Sequence, residues 1–138
     1  MKPVLIDTNI WSTYLRRNTP EDRILRNNVE LLVKEGRVAF IGPIRQEVLT
    51  GIKNVKKFDI LKEHLSAFID DVIYTHEYEA AAKICNDCMS KGIAISAIDA
   101  IIAAVIHEKD WEIYTRDKDF DRYSKVVKFD KYRERKAI

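Results

Sequence analysis

The chain has 138 residues, with 24 Lys and Arg against 22 Asp and Glu, so its formal net charge is only +2. At 46% hydrophobic and 33% charged it is neither disordered nor fibrous, and its length fits a single domain over residues 1–138 with one buried core. Two cysteines make no disulfide framework, and four Gly with three Pro leave no low-complexity linker. The longest mostly apolar stretch, Ile93 to Ile106, is broken by Ser96 and Asp99 and is shorter than the roughly 18 residues of a membrane span. No apolar signal core precedes Asp7. The expectation is a cytoplasmic domain without membrane contact.

The elements follow in chain order. Val4-Leu5-Ile6 is a short apolar run, consistent with a buried first strand, and Asn9 to Arg17 reads as a short helix. Pro20 sits where a helix begins and Gly36 where it stops, with Ile24, Leu25, Leu31 and Leu32 at helical spacing between them. Val38 to Ile41 predicts a second strand, closed by Gly42-Pro43, and Pro43 opens a helix that Gly51 ends. Phe58, Leu61, Leu65 and Phe68 mark an amphipathic helix. Val72 to Thr75 predicts a third strand, Glu77 to Lys91 and Ile95 to Lys109 two further helices, and Trp111–Thr115 and Lys125–Phe129 the last two strands. Strands alternating with helices argue for an α/β fold with a mostly parallel sheet of about five strands.

Charge is less even than its total. From Arg122 to Ile138 seven bases face two acids, a basic segment at 122–138 that is compatible with polyanion binding or with a solvated face.

Four acids stand out by position. Asp7 directly follows the first strand, and Asp117 follows the Trp111–Thr115 strand. In a parallel sheet both lie at the carboxyl edge, where open α/β folds build their sites. Glu47 lies in the opening turns of the helix after strand two, and Asp99 in the first turn of the helix feeding the Trp111 strand, so both start from that edge as well. Each has a bland reading: Asp7 and Asp117 as helix caps, Ser96-Ala97-Ile98-Asp99 as a capping box, Glu47 as a surface residue. Taken together they converge. Two carboxylates about 4 Å apart repel by roughly 4 kcal/mol at an effective dielectric near 20. Four gathered acids therefore call for a cation, and all-oxygen ligands suit Mg²⁺ or Mn²⁺.

The blocks that carry these acids resemble a known family. Leu5-Ile6-Asp7-Thr8-Asn9, Pro43 to Gly51 around Glu47, Ile98-Asp99-Ala100-Ile101-Ile102-Ala103-Ala104, and Tyr114-Thr115-Arg116-Asp117-Lys118-Asp119-Phe120 stand in the order and spacing of a PIN domain. The chain is most similar to the small VapC-type toxins of prokaryotic toxin–antitoxin pairs, from Val4 to about Phe129. The resemblance implies a three-layer fold with strand order 3-2-1-4-5 and endoribonuclease activity dependent on one or two Mg²⁺ or Mn²⁺ ions, leaving a 5′-phosphate and a 3′-hydroxyl. It also implies a homodimer and a cognate antitoxin as partner. It makes Asp7, Glu47, Asp99 and Asp117 the catalytic, metal-holding quartet, with Thr8, Asn9 and Thr115 supporting and Asp119 a secondary candidate. Arg16, Arg17, Arg116 and the C-terminal bases are the candidate contacts to an RNA backbone, with affinity falling as salt rises.

Other features are set aside. Cys85-Asn86-Asp87-Cys88 lies inside a helical stretch and reads as a pair of packed thiols, since a zinc site needs two further ligands. His64, His76 and His107 are scattered singly, and Trp11 and Trp111 suit a core or a dimer surface. A haloacid-dehalogenase-like phosphohydrolase needs a second Asp where this chain has Asn9, and no Gly-rich nucleotide turn occurs. Two rival readings stay open: a PIN-type nuclease of RNA processing outside a toxin pair, and a non-catalytic RNA- or partner-binding module.

Overall fold

Val4, Leu5 and Ile6 are wholly shielded from water. A strand apolar on both faces must be covered on both, and this one lies at the centre of a parallel sheet. The computed structural model describes residues 1–16 and 20–136. Strand β1 (Val4–Ile6) pairs on one side with β2 (Val38–Ala39) and on the other with β3 (Glu112–Tyr114), and β3 pairs with β4 (Asp130–Lys131). All pairings are parallel, in the order β2-β1-β3-β4, with Val4 opposite Val38 and Ile6 opposite Tyr114.

Seven helices are described: α1 (Thr8–Leu15), α2 (Arg23–Lys34), α3 (Gly42–Leu49), α4 (Val55–Leu65), α5 (Thr75–Ser90), α6 (Ala97–Glu108) and α7 (Asp119–Tyr123). No described helix is long and apolar enough to cross a membrane. A 3-10 turn at Pro20–Asp22 leads into α2, and Gly36, at φ +65°, turns the chain from α2 into β2, a left-handed conformation that suits glycine. The expected end of the first helix at Arg17 lies outside the described residues.

Two expected strands are corrected. Residues 70–74 form no ladder with β2; the Asp71 N–H bonds Phe40 O at 2.8 Å, one residue past that strand. Val72 and Tyr74 face solvent, and the Tyr74 N–H is taken by the Glu77 carboxylate at the start of α5, so the chain enters a helix where a strand was expected. Residues 125–129 are also not a strand. The N–H groups of Val126 and Val127 both close on Tyr123 O, and His107 Nδ1 meets Lys128 O, so pairing with β3 begins only at Asp130. The sheet therefore has four strands, and its order is the expected one without its third member.

Trp11 fills the space between α1 and β2, its ring 5.4 Å from Phe40 and 5.3 Å from Phe68. Arg45 lies over Phe40 and reaches Asp70 and the carbonyls of Leu65 and Phe68, which fastens the end of α4 to α3. Helix α5 lies along α6, and Cys88 is buried while Cys85 is half-buried. Burial holds the Cys88 thiol above its ordinary pKa, as expected of a packing thiol.

The end of the chain is not a loose basic tail. Asn28, fully buried in α2, donates to Ile24 O and Arg135 O and accepts from Tyr132 OH and the Arg135 N–H. Arg135 pairs with Glu35, Arg122 with Asp119 and Lys131 with Asp121. Because Asn28 satisfies four bonds from inside the core, Asn28→Ala is expected to destabilise the fold by about 2–4 kcal/mol. Thermal denaturation should register this as a drop of several degrees or more.

Candidate functional site

The carboxyl ends of β1 and β3 face one cleft, and the chain turns there with polar residues. Directly after β1, Asp7 caps α1: its Oδ1 accepts the Thr8 N–H at 2.8 Å. Its Oδ2 accepts from Asn9 Nδ2 at 3.0 Å and from Thr115 Oγ1 at 2.8 Å. Only 5% of Asp7 is exposed. Burial, first, and then the charges of Asp99 and Glu47 push its carboxyl up to about 6, against the pull of the Thr115 and Thr8 hydrogen bonds.

Glu47 lies half-buried in α3 and is tied to this corner through Thr8, whose Oγ1 donates to Glu47 Oε1 at 2.7 Å. The loop after β3 supplies the other wall. Thr115 Oγ1 accepts from Asn9 and from the Asp117 N–H, and Asn9 Oδ1 accepts the Arg116 N–H. Asp117 in turn starts α7, its Oδ1 accepting the Asp119 N–H at 2.9 Å.

Asp99 is placed by α6. Ser96 Oγ caps the helix on the Asp99 N–H at 3.1 Å, but the second half of the expected capping box is redirected: the Asp99 carboxylate accepts from Tyr123 OH at 2.7 Å. Burial first, then Asp117, Glu47 and Asp119, raise the Asp99 pKa, while the Tyr123 bond opposes the rise. Burial and the Asp99 carboxylate hold Tyr123 well above the usual tyrosine pKa, so its hydroxyl stays a donor.

The structure thus brings Asp7, Glu47, Asp99 and Asp117 into one electrostatically coupled corner, with Thr8, Asn9 and Thr115 bonded among them. Asp119 stands at the rim, paired with Arg122. Arg116 is exposed, with its guanidinium on Glu134 at 3.0 Å, and Tyr114 OH donates to the same Glu134 oxygen. Arg16 ends α1 on Thr13, roughly 14 Å along the helix from Asp7 at 1.5 Å per residue, and Arg17 lies outside the described residues. Sequence reasoning read Ser96 as a helix cap, which it is, and missed Tyr123 and Glu134. Only Ser96 carried a signal, as a cap three residues before Asp99.

The donor set fits a hard divalent cation: oxygen atoms only, one carboxylate nearly buried, and neighbouring like charges that help raise the pKa of Asp7 and Asp99. Among the described residues no three His, Cys, Asp or Glu side chains yet stand close enough to cage an ion, so the acids form a coupled but open set.

A parallel α/β domain that collects acids at the carboxyl edge of its sheet belongs to the open α/β folds that build their sites there. The chain belongs to the PIN domain family, whose sequence model matches residues 4–126. PIN domains are in general nucleases. Its fold is that of solved structures with low sequence identity. FitAcB from Neisseria gonorrhoeae superimposes with a TM-score of 0.70 at 24% identity, covering 92% of this chain and 96% of that one. VapBC2 from Rickettsia felis, bound to a DNA fragment from its promoter, gives 0.75 at 18% identity, covering 94% and 98%. FitAB bound to an IR36 DNA fragment gives 0.72 at 21%, covering 98% and 99%. No curated protein matches the chain.

The burial of Asp7 has a measurable sign. Its carboxyl titrates at about 6 when folded against an ordinary 3.8, so the folded chain binds this proton more tightly than the unfolded chain. Stability from protonated Asp7 is complete below about pH 4 and falls as pH rises to about 6, a loss on the order of 2–3 kcal/mol. In chelator-treated protein, Asp7→Asn is expected to melt several degrees higher than wild type at pH 7.5 and to lose the decline between pH 4 and 6. A variant that melts lower at pH 7.5 would contradict this account of Asp7.

Proposed function

We propose that the chain is a divalent-metal-dependent endoribonuclease and the toxin of a toxin–antitoxin pair. The observation that carries the reading is the corner itself: four carboxylates from four separate sequence blocks, one of them almost fully buried, in a member of a nuclease family. Asp7 and Asp99 would hold a Mg²⁺ or Mn²⁺ ion directly, with Glu47 and Asp117 as further ligands or as acceptors for water. Bound there, such an ion acidifies water and offsets charge on the phosphodiester. The chain supplies the rest. Thr8 occupies one oxygen of Glu47 and leaves the other to take a proton from attacking water, a role Asp117 shares by position. Thr115 and Asn9 keep Asp7 turned into the cleft.

Arg116 stands two residues after β3 with its side chain exposed, and its guanidinium is oriented by Glu134. It is the described arginine best placed to meet an RNA phosphate. For a protein partner, the support is a groove of about 420 Å³ between α1, α3 and α4, lined by Leu15, Val48, Ile52, Ile60 and Leu61. Its apolar lining and the basic Arg16 and Lys57 beside it fit a peptide with apolar and acidic residues, the role an antitoxin would fill. The VapBC2 and FitAB structures are complexes bound to DNA, which accords with a DNA-binding antitoxin.

The deciding experiment is incubation of purified total RNA with wild type and Asp7→Asn in Mg²⁺, Mn²⁺ or EDTA. Discrete fragments that need metal and vanish in the variant are the expected result. No cleavage, together with no divalent-ion binding by calorimetry, would replace this reading with a non-catalytic RNA- or partner-binding module. Arg116→Ala should weaken RNA binding several-fold at low salt and lower the slope of affinity against salt by about one ion.

A further inference from the structure

Among the described residues the Asp99 carboxylate meets one donor, as those of Glu47 and Asp117 do. It projects from the first turn of α6, half-buried, toward Asp117, Glu47 and Asp119, and each of these repels it. Without a tether its carboxylate would swing toward solvent. The tether is Tyr123, whose hydroxyl donates to Asp99 Oδ2 at 2.7 Å. Tyr123 itself has little freedom: only 2% of it is exposed, its ring meets Phe120 edge-on at 5.0 Å, and its carbonyl is closed by the Val126 and Val127 N–H groups.

The placement of α7 extends the point. The helix begins at Asp119, whose N–H is bound to Asp117, and ends at Tyr123, which is bound to Asp99. One short helix therefore fixes the third and fourth acid blocks relative to each other. With Oδ2 occupied, Oδ1 of Asp99 meets no donor among the described residues and is left for the cleft.

We propose that Tyr123 is a positioning residue that orders Asp99 for a divalent cation, so that its hydroxyl sets metal affinity and leaves RNA affinity alone. The inference rests on the nuclease reading above. Its basis is the hydrogen bond, the locked ring and the span of α7. Partners that orient metal ligands in this way commonly change metal affinity about 10–100-fold when removed.

The test is a titration of RNA-free protein with Mn²⁺, followed by electron paramagnetic resonance, on wild type, Tyr123→Phe and Tyr123→Leu, with thermal melts of each. Tyr123→Phe keeps the ring, so it should fold as wild type does and bind Mn²⁺ at least about tenfold more weakly. In cleavage assays its half-saturating Mg²⁺ concentration should rise by a similar factor, with kcat regained at saturating Mg²⁺ and KM for RNA unchanged. If Tyr123→Phe binds Mn²⁺ as wild type does, and only Tyr123→Leu loses binding as its melting temperature falls, the ring is packing alone and the proposal is overturned. Wild type that binds no Mn²⁺ would overturn the nuclease reading, and this inference with it.

Discussion

A carboxylate buried at the end of a central strand is the constraint around which this corner of the molecule is built. Asp7 is almost wholly out of reach of bulk water, so its two oxygens must be met by protein donors, two from the start of α1 and one from the loop after β3. Thr8 begins α1 and also reaches Glu47, Asn9 holds the backbone of the loop after β3, and Thr115 holds Asp117. Meeting the needs of one acid thereby orients two others.

The two ends of the sheet handle charge in opposite ways. At the amino end, buried Arg37 pairs with Glu35 and Glu112 and donates to Lys2 O, so opposite charges offset one another. Lys109 does the same for buried Glu77 on the neighbouring helices. At the carboxyl end, Asp7, Glu47, Asp99 and Asp117 are met by hydroxyl, amide and backbone donors that carry no charge. Neutral donors hold acids in place without cancelling them, and the corner keeps its negative potential. Asp119, bound to Arg122, differs from the four in this respect.

Much of this was legible because backbone direction alone dictates it. An acid after a parallel strand, or in the first turn of a helix feeding one, lies at the carboxyl edge, and that rule located Asp7, Asp99 and Asp117; Glu47 followed from the helix that leaves the same edge after β2. The supports were less legible. Tyr123 lies well beyond Asp99 in sequence and reads as one more apolar residue of a short helix, and Glu134 reads as an acid in a basic segment. Val72 to Tyr74 has the composition of a strand, yet a helix cap claims its last N–H, and only Ile73 packs against the core while Val72 and Tyr74 face solvent. The charge sum of the C-terminal segment leaves out where its bases are engaged. Ion pairs with Asp119, Asp121 and Glu35 come from elsewhere in the chain, and a charge sum over a window cannot register them.

The order in which a ribosome releases this chain has a consequence for the site. Asp7, Glu47 and Asp99 all leave the exit tunnel before Thr115 and Tyr123, the residues that hold the first and the third of them in place. A nascent chain stopped between residues 100 and 111 carries three carboxylates with no far wall, while its central strand still lacks β3 as a neighbour. The acidic corner is therefore completed only when residues 115–123 follow, and a translation product truncated before them displays the acids without the frame that aims them.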